Sequence, residues 1–313
     1  KMPRKVLRHL WKNANLYSRE GRPMKFAAND GVNIYFEDTG ETSGDAIIFA
    51  HEFAAEVETW YPQFEAFTSQ YRCVAFNARG WPPSDVPDDP TAYSQDRQVS
   101  DIIDLMDHLG IAKAHIVGLS MGSTTTLLFG ISHADRALSL TIASTGYGAV
   151  GGDRATFHSE IATAADKLET EGWGVVAPDY GNGPFRRSFA IKEPQAHAAF
   201  LARLANHSGV GSARTMRTVQ MVRPAFPDIV DDLHAMDLPV LLVVGDDDAP
   251  AIEGTLYLKK HIPTAGLFMV PRSGHMLNLE ETEAFNLVLG RFLRFAADGT
   301  WNKLAPDQDA GMF

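Results

Sequence analysis

Residues 114–131 read Ala114-His115-Ile116-Val117-Gly118-Leu119-Ser120-Met121-Gly122-Ser123-Thr124-Thr125-Thr126-Leu127-Leu128-Phe129-Gly130-Ile131. A short apolar run, 114–117, has strand character. Gly118-Leu119-Ser120-Met121-Gly122 follows, and a helix-like run extends from Met121 to about Ile131. The pattern G-x-S-x-G between a strand and a helix is that of a nucleophile elbow. Its physics is steric. The chain must turn sharply with the serine at the apex in a strained conformation, so the residues two before and two after must be small. The helix that starts there aims free N–H groups at the apex, which suits a developing negative charge.

A serine nucleophile needs a base and the base needs an orienting acid. His275 sits in Ser273-Gly274-His275, just after the strand-like run 267–270. A loop at the carboxyl end of that strand would carry it, which is the edge where open α/β sheets bind ligands. The rival histidines are less well placed: His108 ends a helix, His115 opens a strand, and His158, His197, His207 and His234 fall in a segment without strand signals. Val240-Leu241-Leu242-Val243-Val244 is a buried-strand run, and Gly245-Asp246-Asp247-Asp248 leaves its carboxyl end. One of these three acids should reach His275. Three adjacent acids also suit a metal site or a solvated turn, but no second cluster of oxygen ligands accompanies them, so no metal is expected.

Further out, strand and helix alternate. Residues 24–29 and 32–38 flank Asp30-Gly31, a hairpin signal in which both turn positions need positive φ. Runs 46–50 and 71–77 read as buried strands, with helical spacing over 57–69 between them. Ser94 would cap a helix running to about His108, which Gly110 ends. Residues 138–143 are a further strand. From about Gly146 to Met236 no clear strand occurs, and glycines and Pro184 separate short helical pieces. Alternation resumes with strands at 238–244 and 267–270 and helices near 252–260 and 280–295. Eight strand-like runs in this order imply an α/β fold with a mostly parallel sheet covered by helices on both faces. The interruption reads as a helical insertion on that sheet.

Composition narrows the function. The 313 residues carry a formal charge of -11, with 45% hydrophobic and 21% charged residues, which excludes disorder as the dominant state. Cys73 is the single cysteine, so no intrachain disulfide exists, and the usage suits a reducing compartment. No run approaches the roughly 18 apolar residues of a membrane span, and no signal-peptide core follows the start, so a cytoplasmic location is expected. Residues 1–25 hold eight of the 28 basic residues and one of the 39 acids, which leaves the other 288 with 20 bases against 38 acids. So acidic a body argues against a nucleic-acid binder. Val6, Leu7, Leu10 and Trp11 would form an apolar stripe on a basic helix of the arm 1–22. That arm is expected to pack on the body or to form a homodimer contact.

Taken together, these motifs resemble the α/β-hydrolase superfamily over roughly residues 24–296. The resemblance is to the capped branch that contains 3-oxoadipate enol-lactonases, small carboxylesterases and carbon–carbon bond hydrolases. It implies an α/β-hydrolase fold with an eight-stranded, mostly parallel sheet and a helical cap. The implied parts are a core of residues 23–146 plus 236–313 and a cap of 147–235. It implies Ser120 as nucleophile, His275 as base and Asp248, three residues after Gly245, as the acid, with no cofactor. The stretch Asn77-Ala78-Arg79-Gly80-Trp81-Pro82-Pro83-Ser84 is similar to the family's D-x-R-G-x-G-x-S loop, with Asn77 and Pro82 as departures. The family's His-Gly-x loop becomes His51-Glu52-Phe53, which implies the Phe53 and Met121 N–H groups as the oxyanion hole.

Glu52 in place of glycine would put a carboxylate beside that hole. It is expected to turn away, tied to loop backbone or to Arg79. Substrate would enter between cap and core, past Trp81, Tyr147, Trp173, Phe185, Met221 and Met276, an apolar set that suits a small ester or lactone. Serine at the elbow, where epoxide hydrolases and haloalkane dehalogenases have Asp, implies acyl chemistry. A carbon–carbon hydrolase of a ring-cleavage diketone, a ligand-sensing receptor that keeps the triad, and a cofactor-free lyase or oxygenase remain as alternatives.

Overall fold

The computed structural model of the chain describes residues 24–150 and 154–301. The arm 1–22 and its apolar stripe lie outside the described residues. Eight strands form one sheet: β1 (Met24–Ala27), β2 (Asn33–Asp38), β3 (Ala46–Ala50), β4 (Arg72–Phe76), β5 (Ala114–Leu119), β6 (Ala137–Ala143), β7 (Val240–Gly245) and β8 (Ala265–Val270). Their spatial order is β1-β2-β4-β3-β5-β6-β7-β8. The β1–β2 and β2–β4 pairs are antiparallel and the other five are parallel.

The central strands are largely apolar because both faces are covered. Every residue of β3, β5 and β7 is buried. Alternate residues feed opposite layers. Ile48 and Ala50 point to the layer of helices α2 (Gln95–His108), α3 (Met121–Ser132) and α10 (Ala249–His261), where Ile102, Leu105, Leu127 and Leu258 meet them. Ile47 and Phe49 point to the layer of α1 (Tyr61–Phe67) and α12 (Thr282–Ala297), where Trp60, Phe64, Phe285 and Leu289 pack. The α2 helix starts where Ser94 Oγ accepts from the Arg97 N–H at 3.0 Å.

The first hairpin departs from the two-residue turn expected at Asp30-Gly31. Ala28 N–H donates to Val32 O, Gly31 N–H donates to Ala28 O, and of the two expected turn residues only Gly31 has positive φ, at 86°. The loop is therefore three residues long with glycine in the left-handed position. Asp30 is freed to bond the Val32 N–H and to face Arg79 and Arg97.

Between β6 and β7 the described chain is helical and without strands: α4 (Arg154–Glu171), α5 (Trp173–Gly181), a 3-10 turn (Pro184–Arg186), α6 (Arg187–Lys192), α7 (Pro194–Leu204), α8 (Gly209–Thr215), a π-helical turn (Met216–Gln220) and α9 (Val230–Ala235). A third apolar cluster joins these helices to the carboxyl edge of the sheet, with Phe53, Trp81, Met121 and Met276 from the sheet side and Trp173, Phe189 and Phe200 from the helices. Among the described residues no helix is long and apolar enough to cross a membrane.

Candidate active site

The turn from β5 into α3 is forced by close packing. Ser120 has φ 54° and ψ -108°, a strained conformation for a side-chain-bearing residue. A β-carbon at Gly118 would lie 2.2 Å from Gly122 O, and one at Gly122 would lie 2.2 Å from Ala50 O. The Gly122 N–H donates to His51 O at 3.1 Å and the Ser120 N–H to Ala143 O at 2.9 Å. The serine is thus fixed against the ends of both neighbouring strands.

The loops after β7 and β8 complete a hydrogen-bonded line. His275 Nε2 is 2.8 Å from Ser120 Oγ, and His275 Nδ1 is 2.8 Å from Asp248 Oδ2. With Asp248 ionised, Nδ1 carries the proton and Nε2 is free to accept from the serine hydroxyl. Asp246 and Asp247 are exposed, and Asp246 Oδ1 accepts from the Ser273 N–H at 3.3 Å. The His275 loop is held by Glu280, whose carboxylate accepts from the Gly274 N–H at 2.7 Å and the Met276 N–H at 3.1 Å.

Burial lowers the pKa of His275, but the charge and hydrogen bond of Asp248, with Glu52 behind them, outweigh it and the net shift is upward. Burial raises Asp248, yet His275, the nearby Ser144 hydroxyl and Arg186 bring it below its ordinary value. Ser144 Oγ and Asp248 Oδ1 nonetheless complete no hydrogen bond of normal geometry.

The loop after β3 is braced by its own histidine. His51 Nδ1 donates to Glu52 O at 2.6 Å and Nε2 accepts from the Ala78 N–H at 2.9 Å. Both bonds need the neutral ring, and burial pushes its pKa down to about 4. Asn77, where the family has Asp, accepts from the Val57 N–H and donates to Pro82 O, each at 2.9 Å. A carboxylate could not make the second bond. Ser84 Oγ donates to Asn77 O at 2.6 Å and ties this loop to β2 through the Tyr35 N–H. No hydrogen bond occupies the Phe53 or Met121 N–H among the described residues.

Two expectations for this loop are corrected. Arg79 does not meet Glu52; it binds Asp101 at 2.6 Å and Asp30 at 2.8 Å. Glu52 instead pairs with Arg186 of the inserted segment at 2.7 Å, and its Oε2 stands 3.7 Å from His275 Nε2. The carboxylate is therefore tied to neither loop backbone nor Arg79 among the described residues, and it faces the histidine. Arg186 was not anticipated from the sequence.

The lining set divides. Trp81, Trp173 and Met276 are buried in the cluster that holds Phe53 and Met121. Trp81 meets the Phe53 ring at 5.5 Å, and Trp173 donates through Nε1 to Ser212 Oγ at 2.8 Å. Phe185 lies 5.3 Å from the His275 ring, and Tyr147 lies 5.7 Å from Phe185. Met221 follows the π-helical turn, is partly buried and lies outside that cluster, which holds Met216. Among the described residues no group of three or more His, Cys, Asp or Glu side chains could hold a metal ion.

The chain is 27% identical over 267 residues to 3-oxoadipate enol-lactonase 1 of Acinetobacter baylyi, covering 84% of this chain and 94% of the relative. It is 24% identical to a putative 2-succinyl-6-hydroxy-2,4-cyclohexadiene-1-carboxylate synthase of Bacillus subtilis, covering 86% of this chain and 98% of the relative. The crystal structure of an enol-lactonase from Burkholderia xenovorans shares the fold, with a TM-score of 0.77 at 24% identity over 87% of this chain and all of that one. The family model for the alpha/beta hydrolase fold matches residues 45–282, and the chain belongs to that family.

Proposed function

We propose that the protein is a serine hydrolase of small, largely apolar carboxylic esters or lactones, working through an acyl-enzyme on Ser120. The observation that carries this reading is the line Ser120–His275–Asp248, with both contacts at 2.8 Å. Ser120 Oγ attacks the acyl carbon and its proton passes to His275 Nε2. The tetrahedral oxygen is held by the Phe53 and Met121 N–H groups. The bond to the leaving oxygen then breaks as Nε2 returns the proton to it, and water repeats the cycle to release the acid. Asp248 holds the ring and balances the imidazolium. The helices 154–235 act as a cap, with substrate between them and the sheet edge. The similarity to an enol-lactonase over most of both chains supports the ester or lactone class.

The test is turnover of p-nitrophenyl acetate and butyrate together with covalent labelling by a fluorophosphonate. Labelling is expected on the Ser120 peptide. Ser120→Ala should lose turnover by a factor on the order of 10⁴ or more and lose all labelling while keeping its melting temperature. A variant that keeps a tenth of the activity overturns the assignment.

A further inference from the structure

The imidazole of His275 has a carboxylate on each side. Asp248 Oδ2 is 2.8 Å from Nδ1, and Glu52 Oε2 is 3.7 Å from Nε2, the nitrogen that faces Ser120. Glu52 is 1% exposed, and its Oε1 has no hydrogen-bond partner among the described residues. Its counter-ion comes from elsewhere in the chain. Arg186 Nη2 is 2.7 Å from Glu52 Oε2, and this guanidinium is buried as well. It lies over the rings of Tyr180 and Phe200, 5.3 and 5.5 Å from their centroids, and also donates to the Tyr180 hydroxyl at 3.3 Å. Four residues after Glu52 the same loop makes a second ionic contact with the inserted helices. Glu56 meets Arg203 Nε at 2.5 Å and His207 Nε2 at 2.7 Å. The loop is held to the helices on both sides of Phe53.

The charges around Ser120 then have a definite sign. Attack by the serine places negative charge on the substrate oxygen and a proton on Nε2. An uncompensated carboxylate beside Nε2 opposes the first and, 3.7 Å from that nitrogen, attracts the second, so it favours a ring already protonated and unable to accept from the serine hydroxyl. At about 4 Å and an effective dielectric near 20, one such charge interaction is on the order of a thousandfold. The geometry points to Arg186 as a positioning residue for the reaction at Ser120: supplied by the inserted segment, it neutralises Glu52, so the charge state competent for acylation exists only while those helices are docked on the loop after β3. This inference rests on the acyl-enzyme reading. The charged and titratable groups around His275 are Asp248, Glu52, Arg186 with Tyr180 behind it, and Glu280, which bonds the N–H groups of Gly274 and Met276.

The experiment compares R186M, E52Q, the double variant R186M/E52Q and the charge-preserving R186K in the full chain. It records kcat and KM on a p-nitrophenyl ester, the pH profile of kcat/KM, and the fluorophosphonate labelling rate. R186M should lower kcat and labelling by about a hundredfold or more with little change in KM. The double variant should recover to within about tenfold of wild type, since it carries neither charge. The acid limb of the profile should move to higher pH in R186M, where two carboxylates face the imidazole, and to lower pH in E52Q. A pair that only braced the fold would change the melting temperature and leave the acid limb in place. If R186M does not fold, E52Q against R186K decides: the limb should fall in the first and hold in the second. Labelling of wild-type Ser120 with no rescue in the double variant, or with one acid limb for all variants, overturns this inference and leaves the hydrolase reading standing. Failure to label wild-type Ser120 overturns the hydrolase reading itself.

Discussion

Gly122 stands so close to Ala50 that a β-carbon on it would lie 2.2 Å from the Ala50 carbonyl oxygen, nearer than two such atoms can approach. The contact lies between backbones, so neither side can swing away. Gly122→Ala should therefore cost about 2–3 kcal/mol of stability and displace the serine at the same time. Melting temperature and fluorophosphonate labelling rate should fall together. A variant that labels at the wild-type rate would show that this approach does not hold the elbow.

Three aspartates follow β7 and one of them, Asp248, reaches the imidazole. Asp248→Asn should lower kcat by about 10³–10⁴, because an amide no longer fixes the donor at Nδ1 or balances the imidazolium. Asp246→Asn and Asp247→Asn should each stay within about threefold of wild type, since both side chains are exposed. Ester turnover of the three variants side by side decides the matter.

The dependence on pH follows from opposite shifts in one pair. The pKa of His275 is raised above its ordinary 6.5, burial being outweighed by Asp248. Activity needs the neutral ring, so kcat/KM should fall as pH drops through a value above 6.5. Stability runs the other way. The contribution from His275 is full below its unfolded pKa and is lost as pH rises through the raised folded one. That from Asp248, whose folded pKa is lowered from 3.8, is present above the unfolded value and lost as pH falls through the folded one. Above the ordinary histidine value of 6.5, the activity profile should climb where this part of the stability declines. Parallel kcat/KM and melting curves check it.

Arg79 is fully buried between Asp101 and Asp30. Arg79→Met should cost about 3–5 kcal/mol because it leaves the buried Asp101 carboxylate without a counter-ion. Adding Asp101→Asn should return part of that loss. Chemical denaturation midpoints of the two variants provide the measurement.

What could be read in advance follows the range of the interaction. The central strands announced themselves because a strand buried on both faces is apolar at every position, as in Ala46–Ala50. The Ser94 cap was legible because it bonds three residues ahead. The hairpin was read too tightly, since Asp-Gly suits both a two-residue and a three-residue loop and only φ separates them. Glu52 was expected to be tied to loop backbone or to Arg79. Arg79 lies on the loop after β4, but two aspartates already engage it. The true partner, Arg186, is 134 residues away on a turn whose position depends on how the inserted helices settle.

Ser120 and His275 are 155 residues apart in sequence, and their 2.8 Å bond closes across β5, β6, β7 and β8. The proposed nucleophile is made early in the chain and the proposed base almost last. A growing chain can therefore form the strained elbow, and even its first helical layer, without a reactive serine. On the proposed reading the hydroxyl stays an ordinary alcohol until the eighth strand pairs with the seventh and carries the imidazole over it, and reactivity at Ser120 is in this sense a property of the finished sheet.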